Sequence, residues 1–336
     1  MDNSETLKLG PDPLASLSAE QKILAKTLQP YAYSELERIY QKGKSFAYYT
    51  DAETAYKILK NNEIWLRKTS VMNDIREIEY GFNLLRDAVK KNKEGLKQIL
   101  DTISLRLFES LIAEFDSWWP RTSTSTFIAC LSEHNPDSAV LDEDKNGRLS
   151  MWRAYGRSSG IAFIMNNGPF LRPSSALKAY ASPVSYLTEE EFDTRFSSWM
   201  TGLGQQIDLF KRLPPGAVQE SLHHTFIYVV TCTKHPGFGE EKEWRVIHTP
   251  KFGEPTNLKL AVEPIGGVPQ LVYKLPLQDK QSEGLYGVTV RDLIKKIIIG
   301  PTQHPFEIAA AIDEMLKAHG VANPSERIVV SRIPMR

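Results

Sequence analysis

The feature that most restricts the fold of this chain is a pattern of strand, helix and strand near its C-terminal end. Lys296–Gly300 is a short run rich in isoleucine, which is typical of a buried strand. A helical pattern follows from about Pro305 to His319, with Gly320 after it, and Arg327–Ile333 is strand-like again. Two strands joined through one helix form a right-handed crossover and lie parallel. The chain therefore predicts a sheet with at least one parallel pair.

Upstream of this unit, short apolar runs alternate with longer helical patterns. Seven further strands are predicted, at Phe46–Thr50, Ile64–Leu66, Phe127–Ser132, Gly160–Met165, Thr225–Cys232, Trp244–Thr249 and Leu271–Leu275. Capping boxes mark three helix starts, at Ser18 with Gln21, Thr50 with Glu53 and Thr188 with Glu191. These patterns predict an α+β fold, with a mixed central β-sheet, flanking helices and helical insertions near 77–119 and 188–215. We expect an N-terminal lead and helix over 1–44 and a single α+β domain over 45–336.

Charge and cysteine content restrict the classes of function. The 336 residues include 41 Lys and Arg and 41 Asp and Glu, so the formal net charge is zero. Strong non-specific attraction to nucleic acid or anionic membranes normally needs a basic excess, so neither is favoured. Cys130 and Cys232 lie in apolar runs, which fits reduced core cysteines better than a disulfide. With no signal-peptide pattern and no apolar stretch of roughly 18–20 residues, we expect a cytoplasmic protein without a membrane span.

Common nucleotide, metal and nucleophile motifs are missing or incomplete. Asp142–Gly147 matches the first half of a calcium loop, but Arg153 occupies the position that needs a bidentate glutamate. The seven histidines lack metal-binding spacing. The sequence contains no phosphate loop, no dinucleotide fingerprint and no G-x-S-x-G elbow. We therefore expect no metal site.

The first cluster of residues suited to catalysis or ligand binding begins at the end of a predicted strand. Tyr49 and Thr50 end this strand, and Asn73, Asp74 and Glu77 follow about twenty residues later. A tyrosine at a strand end can stack on a planar ligand or pack in the core. Asp74 and Glu77 have capping-box spacing, so a helix start explains them as well as a ligand site does. The amide of Asn73 suits a turn or a ribose hydroxyl equally.

The second cluster lies in a short predicted helix over Met151–Arg157. Trp152 and Tyr155 are three residues apart, so they share one face of this helix. They either pack against the sheet or line a cleft.

The third cluster is a charged strand entry. Glu241 and Glu243 flank Lys242 and would project from one face of a strand. Two carboxylates on one face raise a pKa or require a cationic partner, and Arg245 is next on that face. An exposed charged strand entry explains the pattern equally well.

Taken in order, these clusters resemble a bacterial domain family of unknown function. The resemblance covers about residues 45–301 and rests on FAYYTDAETAYKILKNNEIWL, VMNDIREIEYG, FIACLSE, MWRAYGRSSGIAF, EEKEWRVI and IKKIIIGP. It implies a family but no established reaction.

A more distant similarity is to the ADP-ribosyltransferase superfamily. In that superfamily, an early strand with an aromatic or basic residue is followed by a helix, a middle strand supplies Tyr or Ser, and a late strand supplies Glu. Tyr49 with the helix after it resembles the first element, Ser132 or Tyr155 the second, and Glu241–Glu243 the third. The similarity implies an ADP-ribosyltransferase-like fold, NAD as the cofactor that is consumed, and a macromolecular acceptor, either protein or nucleic acid.

The same similarity implies roles for individual residues. Glu243 would stabilise the ribosyl oxocarbenium ion, Glu241 would orient the acceptor nucleophile, and Tyr49 would stack on the nicotinamide. The remaining predicted NAD-binding residues are Thr50, Asn73, Ser132, Trp152, Tyr155 and Arg245.

Two alternatives stay open at this point, and so does the oligomeric state. One is a non-catalytic binding module or effector of a bacterial stress or anti-phage defence system. Its structural hydrogen-bond cluster would contain Asn73, Asp74, Trp152, Tyr155 and Glu243. The other is a nuclease that uses Asp74, Glu77 and Glu243 around magnesium. A cleft that holds Tyr49 and Glu243 favours the transferase, converging acids favour the nuclease, and buried, mutually saturated groups favour the binding module.

Overall fold

A computed structural model of the chain describes residues 14–15, 17–71, 75–136, 142–172, 177–255, 257–265 and 267–334, without the side chains of 75–77 and 121–124. The strands in this part are β1 Ser45–Asp51, β2 Glu63–Lys68, β3 Phe127–His134, β4 Gly160–Met165, β5 Ala179–Pro183, β6 Ser185–Tyr186, β7 Thr233–Lys234, β8 Glu243–His248, β9 Lys259–Ile265, β10 Val268–Pro276, β11 Ile294–Ile299 and β12 Ile328–Val330.

The same residues form helices of very different lengths. The α-helices are α1 Ala19–Leu28, α2 Pro30–Gln41, α3 Ala52–Asn61, α4 Ile75–Lys91, α5 Lys93–Ile103, α6 Leu107–Ser125, α7 Glu143–Asn146, α8 Leu149–Met151, α9 Gly168–Leu171, α10 Glu189–Gln205, α11 Ile207–Lys211, α12 Pro215–Thr231, α13 Val290–Leu293 and α14 Pro305–Ala318. A π-helix covers Trp152–Gly156, and 3₁₀ turns cover Thr69–Val71, Pro236–Glu241, Pro250–Phe252, Gln281–Glu283 and Pro324–Arg327.

A mixed sheet forms the centre of the fold. Its main path is β12-β11-β4-β1-β3-β2-β10-β9. Strand β3 branches this path, because β1 pairs with its C-terminal end and β2 with its N-terminal end, while β8 pairs along it and carries β5. The pair β11–β12 is parallel, as the strand–helix–strand pattern predicted, and the other pairs of this sheet are antiparallel. The predicted α+β fold is confirmed.

The strand predicted at Thr225–Cys232 is wrong. These residues form the end of α12, in which Phe226, Ile227 and Val230 are at most 1% exposed. A helix buried on several sides is apolar all round, so its sequence loses the 3.6-residue periodicity and looks like a buried strand. The second helical insertion therefore extends well beyond residue 215.

Two helix boundaries also differ from the sequence prediction. Pro215 begins α12 rather than ending the preceding helix, which agrees with the preference of proline for a first turn. Helix α3 is capped by Asp51, which accepts from Thr54 N at 2.8 Å, and Thr50 is still part of β1. The capping boxes at Ser18 and Thr188 are confirmed.

The two faces of the sheet are covered differently. One face carries a continuous apolar cluster that includes Phe46, Phe163, Trp244 and Ile297 and is covered by α3 and α14. On the other face, the helices of residues 75–125 and 189–231 cover the β3–β8 side. A smaller cluster with Trp152 covers β1, β4 and β11. The two apolar clusters of this face meet at a seam, and the seam is polar.

Trp152 forms one wall of the seam and sits in a slot built from glycines. A Cβ atom at Gly147, Gly160 or Gly300 would lie 2.5, 2.7 or 2.8 Å from its ring. The indole nitrogen donates to Asn146 O at 2.9 Å, and only 4% of the residue is exposed. The absence of side chains at these glycines makes room for the largest residue of the cluster.

We predict that Gly300→Ala destabilises the protein by ~1–3 kcal/mol, because its methyl group would overlap the indole ring. The matched control is Gly202→Ala in α10, where a Cβ meets nothing within 4 Å. Alanine is the better helix former, so this control should gain about 0.5–1 kcal/mol. Urea unfolding measures both, and equal free energies of unfolding for the two variants would contradict the packing described for Trp152.

Candidate functional site

The candidate site lies on the seam, where β1, β3 and β8 are neighbours. Residues paired directly across an antiparallel ladder project from the same face. Ser132 is paired with Ala47 of β1 on one side and with Glu243 of β8 on the other. Tyr49, two residues after Ala47, projects from that same face. The sheet therefore brings Tyr49, Ser132 and Glu243 to one face.

Glu243 and Arg245 form a buried ion pair at the centre of the seam. Glu243 is 4% exposed, and Arg245, at 0%, is the largest of the fully buried side chains. Arg245 Nε lies 2.9 Å from Glu243 Oε1, and its Nη1 donates to Thr231 O at 2.6 Å. The pairing expected from their two-residue spacing is therefore present.

Lys234 is the second buried cation of this cluster. It belongs to the short strand β7 and is 0% exposed. Its Nζ lies 2.7 Å from Glu243 Oε2 and 2.7 Å from Glu241 Oε2. The four residues form a neutral unit with two positive and two negative charges, which we call the charged cluster (Lys234, Glu241, Glu243 and Arg245).

The charged cluster keeps Glu243 ionised. Burial pushes the pKa of this carboxyl upward, but Arg245 and Lys234 outweigh the burial and lower the pKa to about 2. A carboxylate has about four lone-pair positions. Arg245 Nε and Nη2, Lys234 Nζ and the thiol of Cys130 all interact with Glu243, so its capacity to accept hydrogen bonds is filled.

Glu241 occupies a different position from the one the sequence predicted. It ends a 3₁₀ turn, and Lys242, with φ of 46°, separates it from β8. Strand alternation therefore does not apply to Glu241, and it meets Glu243 through their shared cation. Its side chain is 19% exposed against 4% for Glu243. Glu241 is the more accessible carboxylate of the pair.

Two tyrosines lie beside the charged cluster. Tyr186 Oη accepts from Glu243 N at 2.8 Å. Tyr155 is partly exposed, and burial, followed by the nearby Cys130, Glu241 and Glu243, raises the pKa of its phenol. Tyr155 is therefore a neutral hydroxyl close to both carboxylates.

Ser132 connects the charged cluster to a second buried network around Arg148. Ser132 Oγ donates to Glu241 O and accepts from Arg148 Nη2. Arg148 Nε lies 3.3 Å from Glu143 Oε1, and His134 lies between Glu143 and Asp144. Asp144 belongs to the segment that matches half of a calcium loop, and its partners are His134 and Lys296.

The aromatic residues predicted to bind NAD are packed against each other. The rings of Tyr49 and Trp152 meet edge-on with centroids 4.8 Å apart, and these residues are 6% and 4% exposed. Tyr49 Oη accepts from Arg148 N at 3.1 Å. Trp152 covers the ring of Tyr49 that was expected to stack on nicotinamide. Tyr49 and Glu243 therefore share a packed face of the sheet rather than an open cleft.

Among the other predicted residues, Thr50 does not join the charged cluster, and three lie wholly or partly outside the described residues. Thr50 alternates with Tyr49 along β1 and therefore projects to the opposite face of the sheet. Asn73 and Asp74 lie outside the described residues, as does the side chain of Glu77. Of the three acids proposed for a nuclease, only Glu243 is described, and it is bound by two cations. Among the residues described, no three His, Cys, Asp or Glu side chains converge on a metal site.

The sequence did not point to Lys234, Cys130, Arg148 or Tyr186. Lys234 follows an apolar helix that looked like a strand, and Arg148 comes from a loop that looked solvated. Many of their partners are distant in the chain: Arg148 bonds to Tyr49, 99 positions away, and Tyr186 bonds to Glu243, 57 positions away. Only the tertiary arrangement brings these groups together, so no local pattern could have identified them.

The comparisons with known proteins give one match. Residues 151–246 match the model of a family described as protein of unknown function (DUF2971). The matched stretch begins at the turn that carries Trp152 and ends within β8, so it includes Lys234, Glu241, Glu243 and Arg245. No curated protein and no solved structure matches the chain. The match supports similarity to an uncharacterised domain family over less than a third of the chain.

Within the part of the chain that is described, no helix has both the length and the apolarity that crossing a membrane requires. Cys130 and Cys232 are not joined in a disulfide, and burial raises the pKa of Cys232 to about 11.

We predict that Glu243→Gln destabilises the protein by about 3–5 kcal/mol, because it leaves the buried cluster with an excess positive charge. Glu240→Gln is the matched control. Its side chain is exposed and one turn away, so its free energy of unfolding should stay within about 0.5 kcal/mol of wild type. Denaturant unfolding at pH 7 measures both variants, and similar stabilities for the two would show that Glu243 is not the partner of Arg245 and Lys234.

The pH dependence of stability should carry the signature of Glu243. Its pKa is about 2 in the folded chain and ~4.3 in an unfolded one, so the ionised group stabilises the fold above pH 4.3. This contribution, roughly 3 kcal/mol, is lost as the pH falls from about 4.3 towards 2. The stability difference between wild type and Glu243→Gln should therefore shrink between pH 5 and pH 3. A difference that is constant over that range would mean that the carboxyl has an ordinary pKa.

Proposed function

We propose that the protein is an ADP-ribosyltransferase-like enzyme that cleaves NAD and transfers ADP-ribose to a macromolecule. The observation that supports this proposal is the adjacency of β1, β3 and β8, with Tyr49, Ser132 and Glu243 on one face. These strands correspond to the three elements on which the sequence similarity rests. Their register brings together residues that are more than 190 positions apart in the chain.

The chemistry fits a face that holds ionised carboxylates. The bond between nicotinamide and the ribosyl carbon breaks, and nicotinamide leaves with the electron pair. The acceptor nucleophile then bonds to that carbon and loses its proton. A fixed carboxylate lowers the barrier because it stabilises the cationic ribosyl group. The charged cluster supplies such a carboxylate in a site of low dielectric.

Exposure favours Glu241 over Glu243 as the reacting carboxylate. The oxygens of Glu243 are occupied by Arg245, Lys234 and Cys130, whereas the Glu241 side chain is 19% exposed. We therefore assign to Glu241 both the stabilisation of the ribosyl cation and the acceptance of the nucleophile's proton. Glu243 is a positioning residue, which holds Lys234 against Glu241.

The fit to NAD is incomplete at the aromatic position. Tyr49 is covered by Trp152 and bonded to Arg148, so it does not fit a nicotinamide ring as it stands. Of the other aromatic residues predicted to bind NAD, Tyr155 is partly exposed and is influenced by the charges of Glu241 and Glu243, so it takes the place of Tyr49 in this proposal.

A second candidate function is a non-catalytic binding module. The filled hydrogen-bonding capacity of Glu243 and the burial of Tyr49 and Trp152 favour it, because these are features of a structural cluster. In that case the charged cluster would fix the shape of the domain, and Glu241 and Tyr155 would be its accessible polar groups.

The two candidates predict different behaviour with NAD. As a transferase, the wild-type chain should release nicotinamide from NAD, and NAD should raise its melting temperature because it binds the folded state. Glu241→Gln should keep the fold and slow nicotinamide release by ~10²–10³, the usual effect of removing one electrostatic partner of a transition state. Chromatography of the released nicotinamide and a thermal melt of each protein give both readouts.

Glu240→Gln serves as the control, since its exposed side chain leaves the charged cluster intact, and it should release nicotinamide at the wild-type rate. If wild type releases no nicotinamide and NAD leaves its melting temperature unchanged, the transferase proposal fails and the binding module remains. If wild type is active and Glu241→Gln is equally active, the assignment of Glu241 is wrong.

A further inference from the structure

An apolar cavity that shares no residue with the charged cluster lies under the junction of α1 and α2. Its volume is about 140 Å³. Its walls come from the α1–α2 junction, from α10 and α12, and from the end of β5 and the start of β6. The principal apolar wall residues are Tyr31, Phe192, Phe196, Trp199, Phe226 and Val229.

Helix α10 builds one wall through its periodicity. Phe192, Phe196 and Trp199 follow the spacing i, i+4 and i+7, so they lie along one side of the helix. Phe192 and Phe196 are each 6% exposed, and Trp199 lies 5.4 Å from Phe196 between ring centroids. Phe226 of α12 lies 6.3 Å from Trp199 and completes an aromatic enclosure.

The size and the walls of the cavity define the body of its ligand. An apolar cavity of ~150 Å³ has room for a molecule such as benzene. At about 140 Å³, this cavity matches a single six-membered ring. Flat aromatic walls favour an aromatic ligand over a branched aliphatic one, because edge-to-face contacts between rings add favourable interaction energy.

The mouth of the cavity defines the polar end of the ligand. Of the described residues that line the cavity, Arg195 is the one with a charge. Its guanidinium lies 4.7 Å from the centroid of the Tyr31 ring, and its Nη1 donates to Ser185 Oγ at 3.3 Å. Within the described part of the chain, no carboxylate lies within ion-pair distance of Arg195. The remaining guanidinium N–H groups can therefore receive an anion in the fork geometry that carboxylates prefer.

We propose that this cavity binds a small aromatic monocarboxylic acid, with the ring between α10 and α12 and the carboxylate on Arg195. The ligand class is a phenyl ring joined to a carboxylate by a short aliphatic chain. The site does not share residues with the charged cluster, and this inference does not depend on the proposed function.

The test uses 3-phenylpropionate as the probe and 3-phenylpropan-1-ol as its uncharged counterpart, with isothermal titration calorimetry on the full chain. Wild type should bind the acid more tightly than the alcohol. Arg195→Gln should weaken the acid about tenfold or more, the value of one charge-assisted hydrogen bond, and leave the alcohol within about twofold. Val229→Trp fills the cavity from α12 and should abolish the binding of both molecules.

Three results would overturn the proposal. One is a wild-type protein that binds neither molecule at millimolar concentration. Another is a folded Val229→Trp protein that binds both as wild type does. The third is an Arg195→Gln protein with unchanged affinity for the acid, which would remove the carboxylate from the ligand class. Thermal melts check the fold of each variant, and Ala32→Phe, which fills the cavity from α2, replaces Val229→Trp if the latter does not fold.

Discussion

The buried guanidinium of Arg245 is the constraint on which the candidate site depends. A cation with no exposed surface must be paired and hydrogen-bonded, because desolvation of an unpaired charge is prohibitive. Arg245 meets this requirement through Glu243 and through the carbonyl of Thr231, the last residue of α12. A cation at a helix C-terminus also interacts favourably with the helix dipole. The same contacts fix where α12 ends, and Lys234 follows three residues later to bind both Glu241 and Glu243.

The position of these charges follows from how the sheet is covered. Helices of two separate segments cover the β3–β8 side, and the glycine-lined Trp152 covers the β1–β4–β11 side. Between these apolar clusters, alternation along β3 and β8 projects Cys130, Ser132, Glu243 and Arg245 into the seam. A buried ion cluster rarely adds net stability over a well-packed apolar one. Its position between two apolar clusters agrees with a role of these groups in specifying one arrangement of the strands.

The sequence predicts those features that local periodicity encodes. Short apolar runs identified β1, β3 and β4, and the two-residue spacing within a strand predicted that Arg245 pairs with Glu243. The two-residue spacing misplaced Glu241, because Glu241 ends a 3₁₀ turn and Lys242, in a left-handed conformation, separates it from β8. Lys234 could not be predicted as a partner, since it follows a segment that was predicted to be a strand and that forms the end of a buried helix. The packing of Tyr49 against Trp152 depends on Gly147, Gly160 and Gly300, which come from three distant loops and strand ends.

The central claim is that Glu243 and Lys234 act as one buried electrostatic unit. A double-mutant cycle with Glu243→Gln, Lys234→Met and the double variant measures their interaction free energy directly from denaturant unfolding at pH 7. Each single variant leaves the four-residue charged cluster with one uncompensated charge, whereas the double variant restores its neutrality. We predict that the double variant is less destabilised than the sum of the single variants by about 2 kcal/mol or more. Additive effects, within ~0.5 kcal/mol, would contradict the account, because they would mean that the two groups do not interact in the folded protein.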